Sequence, residues 1–148
     1  MPDDAPAPQV FKYERPPLDR GKVVLRLARS DIMRANMQVL QEGGENNLHA
    51  HPNSDGFWLV LGGRVRFYGE GDVLIAELGQ HEGLLMPRGY KYWFESASDE
   101  PLEILQVSAS AVRLSSEEAI LADRINYTPS KRAIYSAPRP ATVASEPR

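Results

Sequence analysis

The 148-residue sequence contains no cysteine. A disulfide framework, a thiolate metal site and a cysteine nucleophile are therefore excluded. It also has no apolar run near the roughly 20 residues that span a bilayer, so we expect no membrane partner. The first ten residues, MPDDAPAPQV, lack the basic start and apolar core of a secretory signal. From these absences we expect a cytoplasmic protein.

Concentrated positive charge is missing as well. The formal net charge is -3, and lysine and arginine are spread along the chain instead of clustered. Proteins that bind nucleic acid usually carry a basic stripe, so we expect no nucleic-acid partner. Hydrophobic residues make up 42% of the chain and charged residues 25%, which is typical of a globular protein. The length allows one domain of ordinary size.

Proline is scarce in the middle of the chain. Nine of the twelve prolines lie in residues 2–17 or 129–147. Proline lacks a backbone N–H group and is kept out of central strands. The distribution therefore predicts an irregular N-terminal arm over 1–19 and a barrel over 20–112. A C-terminal helix and an extended tail are predicted over 113–148.

The central region consists of short apolar or alternating runs separated by turn residues, which is typical of an all-β fold. Strands are predicted over residues 22–28, 33–41, 57–61, 64–68, 73–78, 84–86, 90–94 and 102–107. One short helix is also predicted. Ser115 as N-cap and Glu118 three residues later form a capping box, and the helix should run to about Ile125. We expect it to pack against the outer face of the barrel.

Two histidines, His49 and His51, lie two positions apart in an extended segment. Because side chains alternate along a strand, both imidazoles should point to the same side. Two converging imidazoles suit a divalent transition metal or a pair of acid–base groups. Alone, the spacing is weak evidence, because an exposed pair on a loop would show it too.

The residues around this pair resemble the first signature of the cupin superfamily, G-x5-H-x-H-x3,4-E-x6-G. Gly43 stands at the opening position, His49 and His51 occupy the two histidine positions, and Gly62 or Gly63 closes the motif. The resemblance implies a double-stranded β-barrel of the cupin (jelly-roll) type. It also implies a ligand pocket in the mouth of the barrel.

The second signature of that superfamily, G-x5-P-x-G-x2-H-x3-N, is recognisable over residues 82–96. Pro87 and Gly89 stand where the family places them, but Tyr92 occupies the histidine position and Ser96 the asparagine position. The resemblance implies a site with three histidines and one glutamate, and this chain departs from that set.

The glutamate position is ambiguous in this sequence. Counting back from the closing glycine gives either Asp55 or Gly56, and the apolar periodicity fits both registers. With Asp55, the residues His49 and His51 complete a two-histidine, one-carboxylate set for one divalent transition metal (Fe, Mn, Ni or Zn). Tyr92 is a further candidate ligand as a phenolate. A metal-free pocket is the alternative, and both interpretations stay open.

Three functions are compatible with these residues. The first is binding of a small polar molecule, such as a sugar derivative, at His49 and His51, with or without a metal. The second is catalysis, either as a metal-dependent oxygenase or lyase or as a metal-independent isomerase or epimerase. For the isomerase, similar cupin-fold enzymes imply a histidine base (His49 or His51) with Tyr92, or else Tyr90, as the acid. The third is a non-catalytic binding module or sensor.

Three further residues are candidates for contact with the ligand. Trp58 lies on the strand after the histidines, and Arg88 and Tyr90 flank the glycine of the Pro-x-Gly turn. The aromatic residues in the two arms, over 11–18 and 125–135, suggest segments that lie across another surface. Small cupins resemble one another in being mostly homodimers, so a two-fold homodimer is predicted.

Overall fold

A computed structural model of the protein describes residues 6–42, 45–128 and 139–140. Gly43, which opens the first signature, lies outside the described residues, and so does the tail beyond residue 128 apart from 139–140. Within the described residues, no helix is both long enough and apolar enough to cross a membrane.

Strands dominate the chain, and a single short helix accompanies them in the described residues. The strands are β1 (Lys22–Arg29), β2 (Met33–Leu40), β3 (His49–Ala50), β4 (Ser54–Gly62), β5 (Val65–Tyr68), β6 (Leu74–Leu78), β7 (Gly83–Met86), β8 (Trp93–Ser96), β9 (Leu102–Ser110), β10 (Ile125–Asn126) and β11 (Arg139–Pro140). The helix α1 spans Glu117–Ala122, and a 3-10 turn at Glu70–Asp72 joins β5 to β6.

The strands form two facing sheets and one short pair. The larger sheet has the order β11-β1-β2-β9-β4-β7, the smaller one has the order β6-β5-β8, and β3 pairs with β10. One core fills the space between the sheets, with Trp58, Val60 and Ile104 from the larger and Phe67 and Phe94 from the smaller. The all-β, double-stranded barrel predicted from the sequence is confirmed.

All eight predicted strands are present, with shifted ends. β4 begins at Ser54, three residues early, and β9 continues to Ser110. β8 begins at Trp93 because Tyr92, predicted inside it, forms an isolated bridge with His49 instead. The two-residue strands β3 and β10 were not predicted, since so short a pairing leaves no periodic pattern in the sequence.

The inward side of the larger sheet changes from apolar to polar along its strands. At one end, Leu40 lies opposite Leu102, and further along, Arg34 lies opposite Ser108. The apolar inward residues are Leu40, Val60, Leu102 and Ile104, and the polar ones are Arg34, Gln38, Ser54, Gln106 and Ser108. The barrel therefore has a packed apolar end and a polar end that can receive a ligand.

The N-terminal arm packs on the outer face of the larger sheet of its own chain. Tyr13 and Leu18 contact the buried pair Val23 and Val39. The Tyr13 hydroxyl also donates a hydrogen bond of 2.5 Å to a carboxylate oxygen of Glu103 on β9. This part of the arm thus covers its own sheet and leaves the predicted subunit contact untested.

The helix begins one residue later than predicted. Ser116, not Ser115, is the N-cap, because its Oγ accepts a hydrogen bond of 3.0 Å from the N–H of Ala119. The helix ends at Ala122 instead of near Ile125, since Ile125 already pairs with β3. The predicted N-cap is therefore wrong by one residue, toward the N-terminus.

Candidate functional site

His49, His51 and Tyr92 form one cluster of rings. His49 and Tyr92 exchange two backbone hydrogen bonds of 3.0 and 2.9 Å, which places them directly opposite each other. Their ring centroids are 4.5 Å apart, and the His51 ring lies 5.0 Å from that of His49. The structure thus brings together the three residues that the sequence proposed as catalytic.

Backbone carbonyl groups fix the protonation of both imidazoles. His49 Nδ1 lies 2.6 Å from the carbonyl oxygen of Asn47, and His51 Nδ1 lies 2.7 Å from that of Asp123. A carbonyl oxygen can only accept, so Nδ1 carries the proton in each ring. Each Nε2 therefore keeps its lone pair as a hydrogen-bond acceptor, a base or a metal ligand.

The surroundings keep all three rings uncharged. Burial, then the cation of Arg124, lowers the pKa of His49 well below its usual value. Burial also lowers the pKa of His51, although the hydrogen bond to the Asp123 carbonyl partly offsets this. Burial raises the pKa of Tyr92. At neutral pH the cluster consists of two neutral imidazoles and one protonated phenol.

A small cavity opens beside this cluster. It is lined by His51, Tyr92, Ser54, Gly56, Gln106 and Ser108, while Met86 and Pro87 form its apolar side. The cavity and its open mouth contain about 240 Å³ of space. Most of that space belongs to the open mouth, and the enclosed part has a volume of about 10 Å³, which is close to what one water molecule needs.

The structure shows which of the two candidates for the glutamate position, Asp55 or Gly56, faces the interior on β4. Gly56 faces the cavity, and Trp58 is buried on the same side of β4. Asp55 falls on the opposite side because side chains alternate along a strand. Its Oδ1 accepts a hydrogen bond of 2.9 Å from the N–H of Arg88. Asp55 is therefore not brought to the histidines, contrary to its proposed role as the third metal ligand.

Two of the three proposed ligand-contact residues lie away from the cavity. Arg88 and Tyr90 are in the turn after β7, where Gly89 has a positive φ of 81° and donates to the His51 carbonyl (2.9 Å). The Arg88 side chain is 53% exposed near Asp55, and Tyr90 is 48% exposed. A tight turn projects these side chains to the surface. Trp58, the third candidate, does face the interior.

The donor set does not fit the resident metal that the family resemblance implies. Within residues 6–42 and 45–128, no cluster of three or more histidine, aspartate or glutamate side chains could hold a metal ion. His49 and His51 supply two nitrogens, whereas catalytic metal sites usually take at least three protein ligands. Tyr92 would have to lose a proton that burial makes harder to remove.

Asp123, which was not predicted from the sequence, connects the segment after α1 to the residues of the cavity through hydrogen bonds. It is 3% exposed, and its carboxylate accepts from the N–H of Asn53 (2.9 Å) and from the hydroxyl of Ser54 (2.6 Å). Ser54 Oγ in turn accepts from Arg34 Nη2 at 3.1 Å. The end of the helix therefore lies against cavity residues, whereas the sequence placed the helix on the outer face.

The residues after Asp123 make a second set of contacts, with Asn47. The side-chain amide of Asn47 donates to Asn126 Oδ1 and to the Thr128 carbonyl, each at 2.9 Å. Arg124 Nη2 donates to Asn47 Oδ1 at 2.5 Å. Since the Asn47 carbonyl accepts from His49, the segment 123–128 supports both histidines.

Comparisons with known proteins agree on the fold. The family model described as Cupin domain matches residues 36–108. No curated protein matches the sequence. The chain is similar to an uncharacterized conserved protein with a double-stranded beta-helix domain from Klebsiella pneumoniae, at 16% identity and a TM-score of 0.57, covering 65% of this chain and 83% of that one.

Two other solved structures are similar to the same degree. A cupin superfamily protein from Desulfitobacterium hafniense is 18% identical with a TM-score of 0.57, over 70% of this chain and 99% of that one. An oxalate decarboxylase from Lactobacillus farciminis, in a formate complex, is 16% identical with a TM-score of 0.56, over 76% of this chain and 33% of that one. At these identities the likeness establishes the fold alone.

Proposed function

The chain is a small cupin-superfamily protein, and from that premise we propose that it binds a small polar molecule beside His49, His51 and Tyr92 without a resident metal. The carbonyl groups of Asn47 and Asp123 carry this proposal, because they leave both Nε2 atoms as neutral acceptors. A protonated phenol beside two such acceptors can hydrogen-bond a hydroxylated ligand, for example a sugar derivative.

A metal-independent isomerase or epimerase is less well supported by the same site. General acid–base catalysis is most efficient when the pKa values of the groups lie near the working pH. Burial lowers the pKa of His51 and raises the pKa of Tyr92, so the base is weakened and the acid is weakened too. This combination favours hydrogen bonding to a ligand over proton transfer, and it supports a binding or sensing protein.

Binding at the imidazoles is testable by nuclear magnetic resonance with a panel of small polyols, hydroxy acids and hydroxy amides. At least one member is expected to shift the Nε2 signal of His51, because that atom has no proton of its own and accepts from the ligand. His81, which is exposed, serves as the internal control. His51→Ala is expected to lose the binding. A panel that moves neither His49 nor His51 would contradict the proposal.

Metal content is expected to be well below one ion per chain in protein purified without a metal-binding tag. Two imidazoles are too few ligands to retain a divalent ion through purification. Plasma mass spectrometry measures this directly, with the double variant His49→Ala, His51→Ala as the matched sample. Near-stoichiometric metal in the native protein that is lost in the double variant would show that the histidines do hold an ion.

The predicted two-fold homodimer stays a prediction. Phe57 on β4 lies opposite Leu85 on β7, and both are large apolar residues exposed on the outer face of the sheet. Such a surface is suited to contact with a second copy of the chain.

A further inference from the structure

The enclosed part of the cavity beside the ring cluster has no room for a ligand larger than water. Its volume is about 10 Å³, which is close to what one water molecule needs. His49 is only 1% exposed. A molecule with several non-hydrogen atoms can therefore contact the His49 ring only if one boundary of this space moves. The boundary that moves most easily is the one that the weakest contacts hold in place.

One boundary is the segment of residues 116–128, which we call the strap. It contains the helix α1 and the strand β10. Between them, the Asp123 carboxylate lies 2.6 Å from the hydroxyl oxygen of Ser54, and the Asp123 carbonyl oxygen lies 2.7 Å from His51 Nδ1. Because Ser54 and His51 line the cavity, the space that the Asp123 side chain fills is next to it.

The strap also covers His49. Asn126 on β10 is the register partner of His49 on β3, and Tyr92 is the partner of His49 on the other side. The side chains of directly paired residues lie on the same face of a sheet. If β10 moves away, the His49 ring loses one of the two side chains that flank it, and β3 becomes an edge strand. His49 can then be reached from outside the barrel.

Polar contacts, and not apolar packing, hold the strap against the barrel. Of residues 116–128, Asp123 alone is buried, and α1 buries no side chain. Glu117 forms ion pairs with Arg26 at 2.9 Å and with Arg29 at 3.2 Å. The strand β10 adds a pairing of only two residues with β3. Hydrogen bonds and exposed ion pairs each contribute little to stability, because water replaces them when they break.

The other boundaries of the cavity are held more firmly. β4 pairs with β9 from Ser54 to Gly62, and Trp58 on β4 belongs to the apolar core. The chain is anchored again just before the strap, since Leu114 is buried and its N–H donates to the Asp31 carbonyl at 2.6 Å. Proteins open locally where few apolar contacts are buried. We therefore expect the strap to detach, with its hinge after Leu114, while both sheets stay intact.

We propose that the strap is a gate, which opens as a unit and admits the ligand to His49 and His51. This proposal rests on the proposed function, because it concerns how a molecule reaches the same site. The Glu117 side chain is 43% exposed and those of Arg26 and Arg29 are 22% and 33% exposed, so dissolved salt screens their attraction. Higher ionic strength is therefore expected to favour the open form.

Diethyl pyrocarbonate, which acylates neutral imidazoles, measures the opening when the ligand is unknown. Peptide mass spectrometry gives the rate at each histidine, and the exposed His81 is the internal control. Glu117→Gln is expected to raise the rate at His49 about fivefold, because it removes the charge that pairs with two arginines. Glu118→Gln, at the exposed neighbouring position of the same helix, should leave that rate unchanged. Added salt should raise it more in the native protein than in Glu117→Gln.

An engineered disulfide can lock the strap. Ala50 and Ile125 are register partners, and the Cα atoms of such partners lie about 4.5–5.5 Å apart, within the range that a disulfide bridges. The native chain has no cysteine, so the double variant Ala50→Cys, Ile125→Cys can form no other disulfide within the chain. The oxidised variant is expected to react at His49 at least about tenfold more slowly than the same protein after reduction. His81 should react equally in both forms.

Equal reaction of His49 in the oxidised and reduced forms would overturn the gate and leave the proposed function standing. If the double variant does not fold, an unchanged His49 rate in Glu117→Gln overturns the gate instead. The converse result is also distinguishable. If the lock slows the reaction but no polyol, hydroxy acid or hydroxy amide shifts the His51 signal, the opening of the strap is confirmed and the proposed function fails.

Discussion

Replacing Asp123 with alanine is expected to lower the free energy of unfolding by about 3–5 kcal/mol. The carboxylate is buried and accepts from the Asn53 N–H and the Ser54 hydroxyl. It also lies close enough to Arg34 to act on the charge of that buried guanidinium. Alanine leaves two donors without an acceptor and a buried cation without its neighbouring carboxylate. Urea unfolding followed by tryptophan fluorescence measures the change.

Asp99→Ala is the matched control, because Asp99 lies on the surface and its replacement should change stability by no more than about 0.5 kcal/mol. A second readout tests the site itself. The Asp123 carbonyl fixes the Nδ1–H form of His51, so loosening this segment is expected to mix the two tautomers in the nitrogen spectrum. An Asp123→Ala protein with native stability and a single His51 tautomer would refute the role of Asp123.

The strands and the ring cluster were predictable because their signals are local. Alternation at His49 and His51 places both imidazoles on one side within three residues of sequence. The position of Tyr92 was implied by the resemblance to the second cupin signature, in which Pro87 and Gly89 belong to the turn before it. That turn now proves to be pinned to the His51 carbonyl by the N–H of Gly89. The same alternation at Arg34, Asn36 and Gln38 could have identified a polar interior.

The choice between Asp55 and Gly56 could not be made from the neighbouring residues in the sequence. Either register of β4 gives an apolar inward row, so alternation alone could not choose between them. The facing sheet decides it, since Trp58 packs 5.6 Å from Phe67 and 5.0 Å from Phe94, centroid to centroid. Phe57 is left 48% exposed as a result. Asp123 could not be identified either, because its partners lie about 70 positions earlier in the chain.

Lys22→Met is expected to stabilise the protein at neutral pH and to flatten the dependence of its stability on pH. Lys22 is buried, with Nζ 5.2 Å from the ring centroid of Phe94. Burial, then the cation of Arg124, lowers the pKa of Lys22 to about 7. In the unfolded chain the lysine has its ordinary pKa of about 10.4 and keeps its proton up to that pH. Between these values the unfolded chain binds more protons, so the stability of the native protein rises with pH.

The slope is expected to reach about 1.4 kcal/mol per pH unit, which sums to at most roughly 5 kcal/mol across the interval. Below about pH 7 the lysine is charged in both the folded and the unfolded protein. The full cost of burying its charge then lowers the stability, and Lys22 no longer makes the stability depend on pH. Urea unfolding at several pH values between about 6 and 10 measures both effects.

Lys12→Met, at an exposed lysine, should keep the native slope. Equal slopes in the native protein and in Lys22→Met would show that Lys22 carries its charge at no cost in the folded state.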